Sequence, residues 1–267
     1  MSLSPIGIFD SGIGGLTVAA GIVRQFPSVP ICYFGDTAHL PYGDKSVDSI
    51  RQYAHEIVEF LLDKGCKTIV IACNSASASA YESLRDEFSD RAVIIDVIRP
   101  LVDVVKRRHK KKVGVIATKA TVGTNIYANL LQNEHPQLNV VSLATSLLVP
   151  MIEEGFLHNK ISEVTIHQYL SYPDFLDIEA LLLACTHYPL IRQQIRDYLG
   201  EKVEVYDSIE AVLIELSKHI QSTSSRSTDH SFWVSDYTQR FEEITRLFYG
   251  EDIKLNEIKW RDGKLVY

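Results

Sequence analysis

At 267 residues the chain is long enough for one large or two modest domains, and its 46% hydrophobic and 23% charged residues are those of a globular protein with a full core. A net charge of −7 and a pI near 5.7 argue against general binding to nucleic acid or to an anionic membrane, both of which want a basic face. Four cysteines with no C-x-x-C spacing argue against a disulfide scaffold or a metal cluster, and no apolar run approaches the roughly 20 residues of a membrane helix. The opening MSLSPIGIFD has no basic region followed by a long apolar segment, so no signal peptide is expected and a reducing cytoplasm is the default.

Pro5–Asp10 reads as a buried strand, followed by the glycine turn Asp10–Gly15 and a helical pattern, LTVAAGIVRQF. The full G-x-G-x-x-G spacing and a P-loop lysine are missing, so a small carboxylate suits this turn better than a nucleotide. Val29–Gly35 is the next strand, running into a shaped polar loop from Asp36 to Gly43. Ser46–Leu62 is an amphipathic helix with Gly65 as its C-terminal stop. Thr68–Ala78 (TIVIACNSASA) is an apolar strand that turns abruptly small and polar at Cys73, with a helix expected over Ala76–Phe88. A fourth strand, Ala92–Val97, precedes a helix opened by Pro100 and reaching about Arg108. The basic run Lys106–Lys112 reads as the solvated end of that helix rather than an anion site.

The pattern then restarts. Lys112–Thr118 parallels Pro5–Ser11, with Gly114 matching Gly7 at a spacing of 107. Leu138–Ser146 parallels Val29–Ala38 at 109, and the strand ending at Cys185 in Glu179–Leu190 (EALLLACTHYPL) parallels the one ending at Cys73 at 112. Val203–Asp207 closes this half, and Asp207 or Ser208 caps a helix expected to reach about Gln221. A polar loop at Ser222–His230, a strand at Phe232–Ser235, a helix at Thr238–Tyr249 and a last strand at Ile258–Trp260 complete the chain. The fold expected is therefore α/β: two pseudo-symmetric doubly wound parallel-sheet domains facing each other across a cleft. The expected division is 1–97 plus 208–267, a discontinuous first domain, and 98–207, the second.

In open α/β sheets ligands bind at the carboxyl ends of the strands. Facing halves would therefore bring Cys73 and Cys185 to one cleft. A buried cysteine is commonly an inert small hydrophobe, but two in near-identical contexts suit stereoinversion at carbon: one thiolate removes a proton from one face and the other thiol delivers one to the opposite face. A free thiol is only slightly ionised at neutral pH, so nearby groups should assist. Asp10, Asp36, Glu153 and His187 are the candidates, with a solvated helix residue and a packed histidine as the structural alternatives for Glu153 and His187. No pyridoxal lysine or metal cluster is evident, so no cofactor and no metal are expected, and the chemistry must rely on a dry, preorganised cleft.

Four motifs in order, FDSGIGGLTVA (Phe9–Ala19), GDTAHLPYG (Gly35–Gly43), ACNSASA (Ala72–Ala78) and ACTHYPLI (Ala184–Ile191), resemble the glutamate racemases of the aspartate/glutamate racemase superfamily along essentially the whole chain. The resemblance implies cofactor-independent interconversion of L- and D-glutamate, supplying D-glutamate for peptidoglycan. It implies Cys73 and Cys185 as the two bases, assisted by Asp10, Glu153 and His187. Asp10, Ser11, Tyr42, Gly43, Asn74, Ser75, Thr186 and His187 would hold the amino acid, whose carboxylates suit N–H and hydroxyl donors. Ser75 replaces the threonine more usual in the family and keeps its hydroxyl; Ser146 stands where proline is expected. A homodimer is the expected assembly. Two rival readings share the scaffold: a non-catalytic ligand-binding protein, and a thiol redox protein that pairs Cys73 with Cys185 but has no close resolving cysteine.

Overall fold

Strands buried on both faces read as continuous apolar runs, and such runs form the centre of each of two parallel sheets. A computed structural model describes residues 4–220 and 229–266. Its first sheet holds β1 (Ile6–Asp10), β2 (Ile31–Gly35), β3 (Thr68–Ile71) and β4 (Val93–Asp96). Its second holds β5 (Lys112–Ala117), β6 (Asn139–Ala144), β7 (Ala180–Ala184) and β8 (Glu204–Asp207). Two strands from the end of the chain, β9 (Ser231–Val234) and β10 (Leu255–Glu257), extend the first sheet beside β2. The orders are β10-β9-β2-β1-β3-β4 and β6-β5-β7-β8, all parallel, and a small antiparallel hairpin of β11 (Lys259–Arg261) and β12 (Lys264–Val266) stands apart.

The repeat seen in the sequence is a repeat in register. Gly7 pairs with Ile69 between β1 and β3, and Gly114 pairs with Leu181 between β5 and β7. A Cβ on Gly7 would lie 3.1 Å from Ile69 and 3.2 Å from Cys66; one on Gly114 would lie 3.0 Å from Leu181 and 3.2 Å from Ile178. Ile69 to Leu181 and Cys66 to Ile178 have the same spacing as the two loop cysteines. Each glycine thus makes room for the same neighbours in both halves.

Helices supply the crossovers: α1 (Leu16–Gln25), α2 (Val47–Asp63), α3 (Asn74–Phe88) and α4 (Ile98–Lys106) in the first half. The second has α5 (Lys119–Gly123), α6 (Ile126–Glu134), α7 (Leu148–Glu153), α8 (Lys160–Leu170) and α9 (Arg192–Leu199), and the chain ends with α10 (Ser208–Leu216) and α11 (Gln239–Tyr249). Helices α5 to α9 go beyond the elements expected from sequence. One apolar cluster runs from the first sheet through α1, α4 and α10 into the second, so the two sheets share a core. The helices α4 and α10 pack on each other and open at the two points where the chain passes between the sheets. The other face of the first sheet has its own cluster, under α2 and α3.

Several element limits differ from expectation, each for a local reason. α3 starts at Asn74, not Ala76, because Cys73 is itself the N-cap: its Sγ accepts from the Ala76 N–H at 3.4 Å. α4 starts at Ile98, two residues before Pro100, because the Asp96 carboxylate accepts from the N–H groups of Ile98 and Arg99; Pro100 is tolerated in a first turn that needs no N–H there. α10 is capped by the Asp207 carboxylate and ends at Leu216, short of Gln221. The expected strand at Ile258–Trp260 is replaced by β10, β11 and β12, and Ile258 donates its N–H to Val234 at the sheet edge. Most of the expected loop at Ser222–His230 lies outside the described residues. The basic run closes α4, with Lys106 and Lys110 paired to Glu134 and Glu204.

Candidate active site

The carboxyl ends of both sheets open into one cavity of about 340 Å³. Ser11 follows β1, Tyr42 and Gly43 come from the loop after β2, and Cys73 follows β3. From the second sheet, Thr118 follows β5, Thr145 follows β6 and Cys185 follows β7, all lining the same cavity. The cysteines that sequence places at equivalent strand ends therefore face a common space, each almost fully buried, at 5% and 7% exposure. Larger, more open grooves lie along α8 and α9 and around Arg192, and neither is lined by a cysteine.

On the Cys185 side, His187 is the partner. Its Nδ1 lies 3.7 Å from Cys185 Sγ, and its Nε2 lies 2.8 Å from Glu153 Oε1 at the end of α7. Burial alone would push the imidazole down; the contacts with Cys185 and Glu153 outweigh it and hold the ring up at about 10. At neutral pH His187 is then an imidazolium donating from both nitrogens, with its positive charge beside the sulfur. The glycine turn after β1 makes this possible: a Cβ on Gly14 would lie 2.3 Å from the ring, so only glycine admits it. Phe248 of α11 packs edge-on against the ring, its centroid 5.1 Å away.

The Cys73 side is opposite in character. Burial, then the Asp10 carboxylate, push this thiol up to about 12, against the weaker pull of the Ala76 and Ser11 donors. Cys73 is thus held as the neutral thiol. Asp10 was expected to take a thiol proton and to touch the substrate, but it is not on the cavity wall. It is 1% exposed behind Ser11, accepts from the Gly12 N–H at 3.1 Å, and lies 3.5 Å from Thr186 Oγ1. Its own carboxyl is raised by burial. Asp36 is also buried behind the wall, where it accepts from Tyr42 Oη at 2.6 Å, Ser235 Oγ at 2.7 Å and Trp260 Nε1 at 2.8 Å, and lies 2.9 Å from His39 Nδ1. The Tyr42 hydroxyl is committed to that carboxylate, while the residue itself lines the cavity.

Asn74 and Ser75 open α3, whose first N–H groups have no intrahelical acceptor. Asn74 Oδ1 accepts from Tyr127 Oη at 2.7 Å, which orients the amide and leaves its buried Nδ2 without a partner beside the cavity. Ser75 Oγ is 2.8 Å from Thr118 Oγ1, a bond between the two halves. Thr186 reaches back the other way, its carbonyl accepting from Thr17 Oγ1 at 2.9 Å. Sequence reasoning missed Thr118, Thr145, Tyr127 and the wall residue Lys119. The repeat offered a signal for two of them: Thr118 is 107 beyond Ser11 and Thr145 is 109 beyond Asp36. The bonds agree, Asp36 N to Asp10 O at 3.0 Å matching Thr145 N to Ala117 O at 2.9 Å.

Among the described residues no group of three or more His, Cys, Asp and Glu is placed to hold a metal ion, and no helix is long and apolar enough to cross a membrane. What the cavity offers is two thiols, one backed by an imidazolium, with hydroxyl and amide donors set into a lining that also holds Leu40, Val149 and Pro150.

Known proteins share this architecture. The family model for Asp/Glu/Hydantoin racemase matches residues 6–216. The glutamate racemase of Chlorobaculum parvum is 41% identical over 258 residues, covering 94% of each chain. Among solved structures, glutamate racemase from Francisella tularensis in complex with D-glutamate superposes with a TM-score of 0.88 at 36% identity, covering 97% of this chain and 98% of that one. Glutamate racemase isoform RacE1 from Bacillus anthracis has a TM-score of 0.88 at 34% identity, covering 99% and 100%.

Proposed function

The chain belongs to the glutamate racemases of the Asp/Glu/hydantoin racemase family, and from that premise we propose that its cavity inverts the α-carbon of glutamate between two cysteines. The observation that carries this reading is that Cys73 and Cys185, at equivalent strand ends of two sheets, line one cavity. In one direction Cys185, as the thiolate beside the His187 imidazolium, takes the Cα proton: the C–H bond breaks and an S–H bond forms. Cys73, as the thiol, gives its proton to the opposite face of the carbanionic carbon. The product leaves with the sulfurs' roles exchanged, and the reverse reaction restores them.

The assisting groups differ between the two sides. His187 stabilises negative charge at Cys185, and Glu153 holds the ring and its charge. Asp10 acts on Cys73 from behind the wall, keeping its proton on sulfur when it is the acid. The N–H groups of Tyr42, Gly43, Asn74 and Ser75, with the Asn74 amide, the Ser11 hydroxyl and Thr186, are donors suited to the two carboxylates of glutamate. Closure of the two halves on the substrate would exclude water and strengthen each of these interactions. D-Glutamate formed this way would serve peptidoglycan synthesis in the cytoplasm, the compartment in which four unpaired cysteines are stable. The division into domains 1–97 plus 208–267 and 98–207 is part of the same proposal, since it sets the two walls on separate bodies.

Purified protein should racemise L-glutamate, read as loss of its circular dichroism. Cys73→Ser and Cys185→Ser should each abolish the change while leaving the far-ultraviolet spectrum of the fold intact. Full turnover by either variant would remove that cysteine from the chemistry.

A further inference from the structure

Lys119 opens α5 and Asp44 ends the 3-10 turn Tyr42–Asp44, so the two belong to opposite halves of the molecule. Both line the cavity, and Lys119 Nζ lies 3.2 Å from Asp44 Oδ1. Their side chains are 63% and 61% exposed, which puts the pair at the cavity's open rim. The two segments approach closely beneath the pair: a Cβ on Gly43 would lie 3.1 Å from the Thr118 side chain. Of the charged side chains on the wall, Glu153 and His187 are paired with each other, and Lys119 is the other cation.

We propose that Lys119 is a capture arm for the distal carboxylate of the substrate, with Asp44 holding it over the rim until that carboxylate takes its place. The inference rests on reading the cavity as a glutamate site. Three features point to it. Asp44 directly follows Tyr42 and Gly43, the N–H pair suited to a substrate carboxylate. A ligand carboxylate brought there meets a like charge one residue away, which is unfavourable unless a cation lies between them. Lys119 is the cation positioned to do so. An exposed ion pair is weak, so exchanging one carboxylate for another costs little, and a lysine stem is long and flexible enough to follow the ligand inward. The arm thereby favours amino acids with a second carboxylate over those with a neutral side chain.

An ordinary surface latch between the halves would respond alike to loss of either partner. A capture arm responds in opposite directions, because Lys119 attracts the ligand and Asp44 competes with it. The test uses the whole protein and glutarate, a dicarboxylate without a stereocentre, with binding measured by isothermal titration calorimetry. Lys119→Ala should weaken glutarate binding about fivefold, Asp44→Asn should tighten it about twofold, and Lys119→Arg should stay within about twofold of the parent. The KM for glutamate should follow the same order with kcat held, and the effect of Lys119→Ala should shrink in high salt. Unchanged glutarate affinity in Lys119→Ala, or weakening by both Lys119→Ala and Asp44→Asn, would overturn the proposal. Failure of the parent protein to racemise glutamate would instead count against the functional reading, since the glutarate comparison does not need turnover.

Discussion

Glu153 Oε1 accepts a hydrogen bond from Nε2 of His187 at 2.8 Å, while the other ring nitrogen faces Cys185 Sγ at 3.7 Å. The relay joins the end of α7 to the turn after β7 and gives the two thiols unlike surroundings. Removing the carboxylate should let burial pull the imidazole down. In Glu153→Gln, the His187 ring should titrate well below its parent position near 10, read by NMR of the labelled imidazole, and turnover should fall. An unmoved titration would show that Glu153 does not sustain the charge.

The same group sets a direction for stability against pH. His187 is raised in the fold above its ordinary 6.5, so its contribution is fully present below 6.5 and is lost as the pH climbs through about 10. Denaturant unfolding of the parent and of His187→Asn should therefore differ most near pH 6 and converge above pH 10. A gap that widened with rising pH would contradict the assignment of an imidazolium.

Asn74 depends on a residue from the other half. Tyr127 Oη, buried on α6, donates to Asn74 Oδ1 and so fixes the orientation of the amide. Tyr127→Phe leaves the amide free to rotate and should raise the KM for glutamate about fivefold, the worth of one buried hydrogen bond. In an Asn74→Ala background the same change should add little. Equal effects in both backgrounds would mean that Tyr127 acts by packing alone.

Asp36 is a buried anchor rather than a reactant. Fully buried, it collects the donors of His39, Tyr42, Ser235 and Trp260. Asp36→Ala should cost about 3 kcal/mol in urea unfolding, since it strands several buried donors at once. A loss under about 1 kcal/mol would show that water or repacking satisfies them.

Much of this was legible in the sequence because strand ends are local events. An apolar run that stops at Cys73 or Cys185 and turns polar fixes where the sulfur sits, and the spacings of 107, 109 and 112 carried the register of both sheets. What escaped was non-local. Tyr127 meets Asn74 across 53 residues, Thr118 meets Ser75 across 43, and Trp260 meets Asp36 across 224. None of these pairs has a periodicity to announce it. Asp10 shows the complementary difficulty: its place at a strand end was readable, but whether its carboxylate faced the cavity or the glycine turn behind it depended on one side-chain direction.

Racemisation in deuterated buffer distinguishes two working sulfurs from one. If separate sulfurs work on opposite faces of one carbon, product formed early in the reaction carries deuterium at Cα while recovered starting enantiomer remains protonated, whichever enantiomer is supplied. Deuterium appearing equally in both pools from the outset would mean that a single group, or freely exchanging solvent, handles both faces.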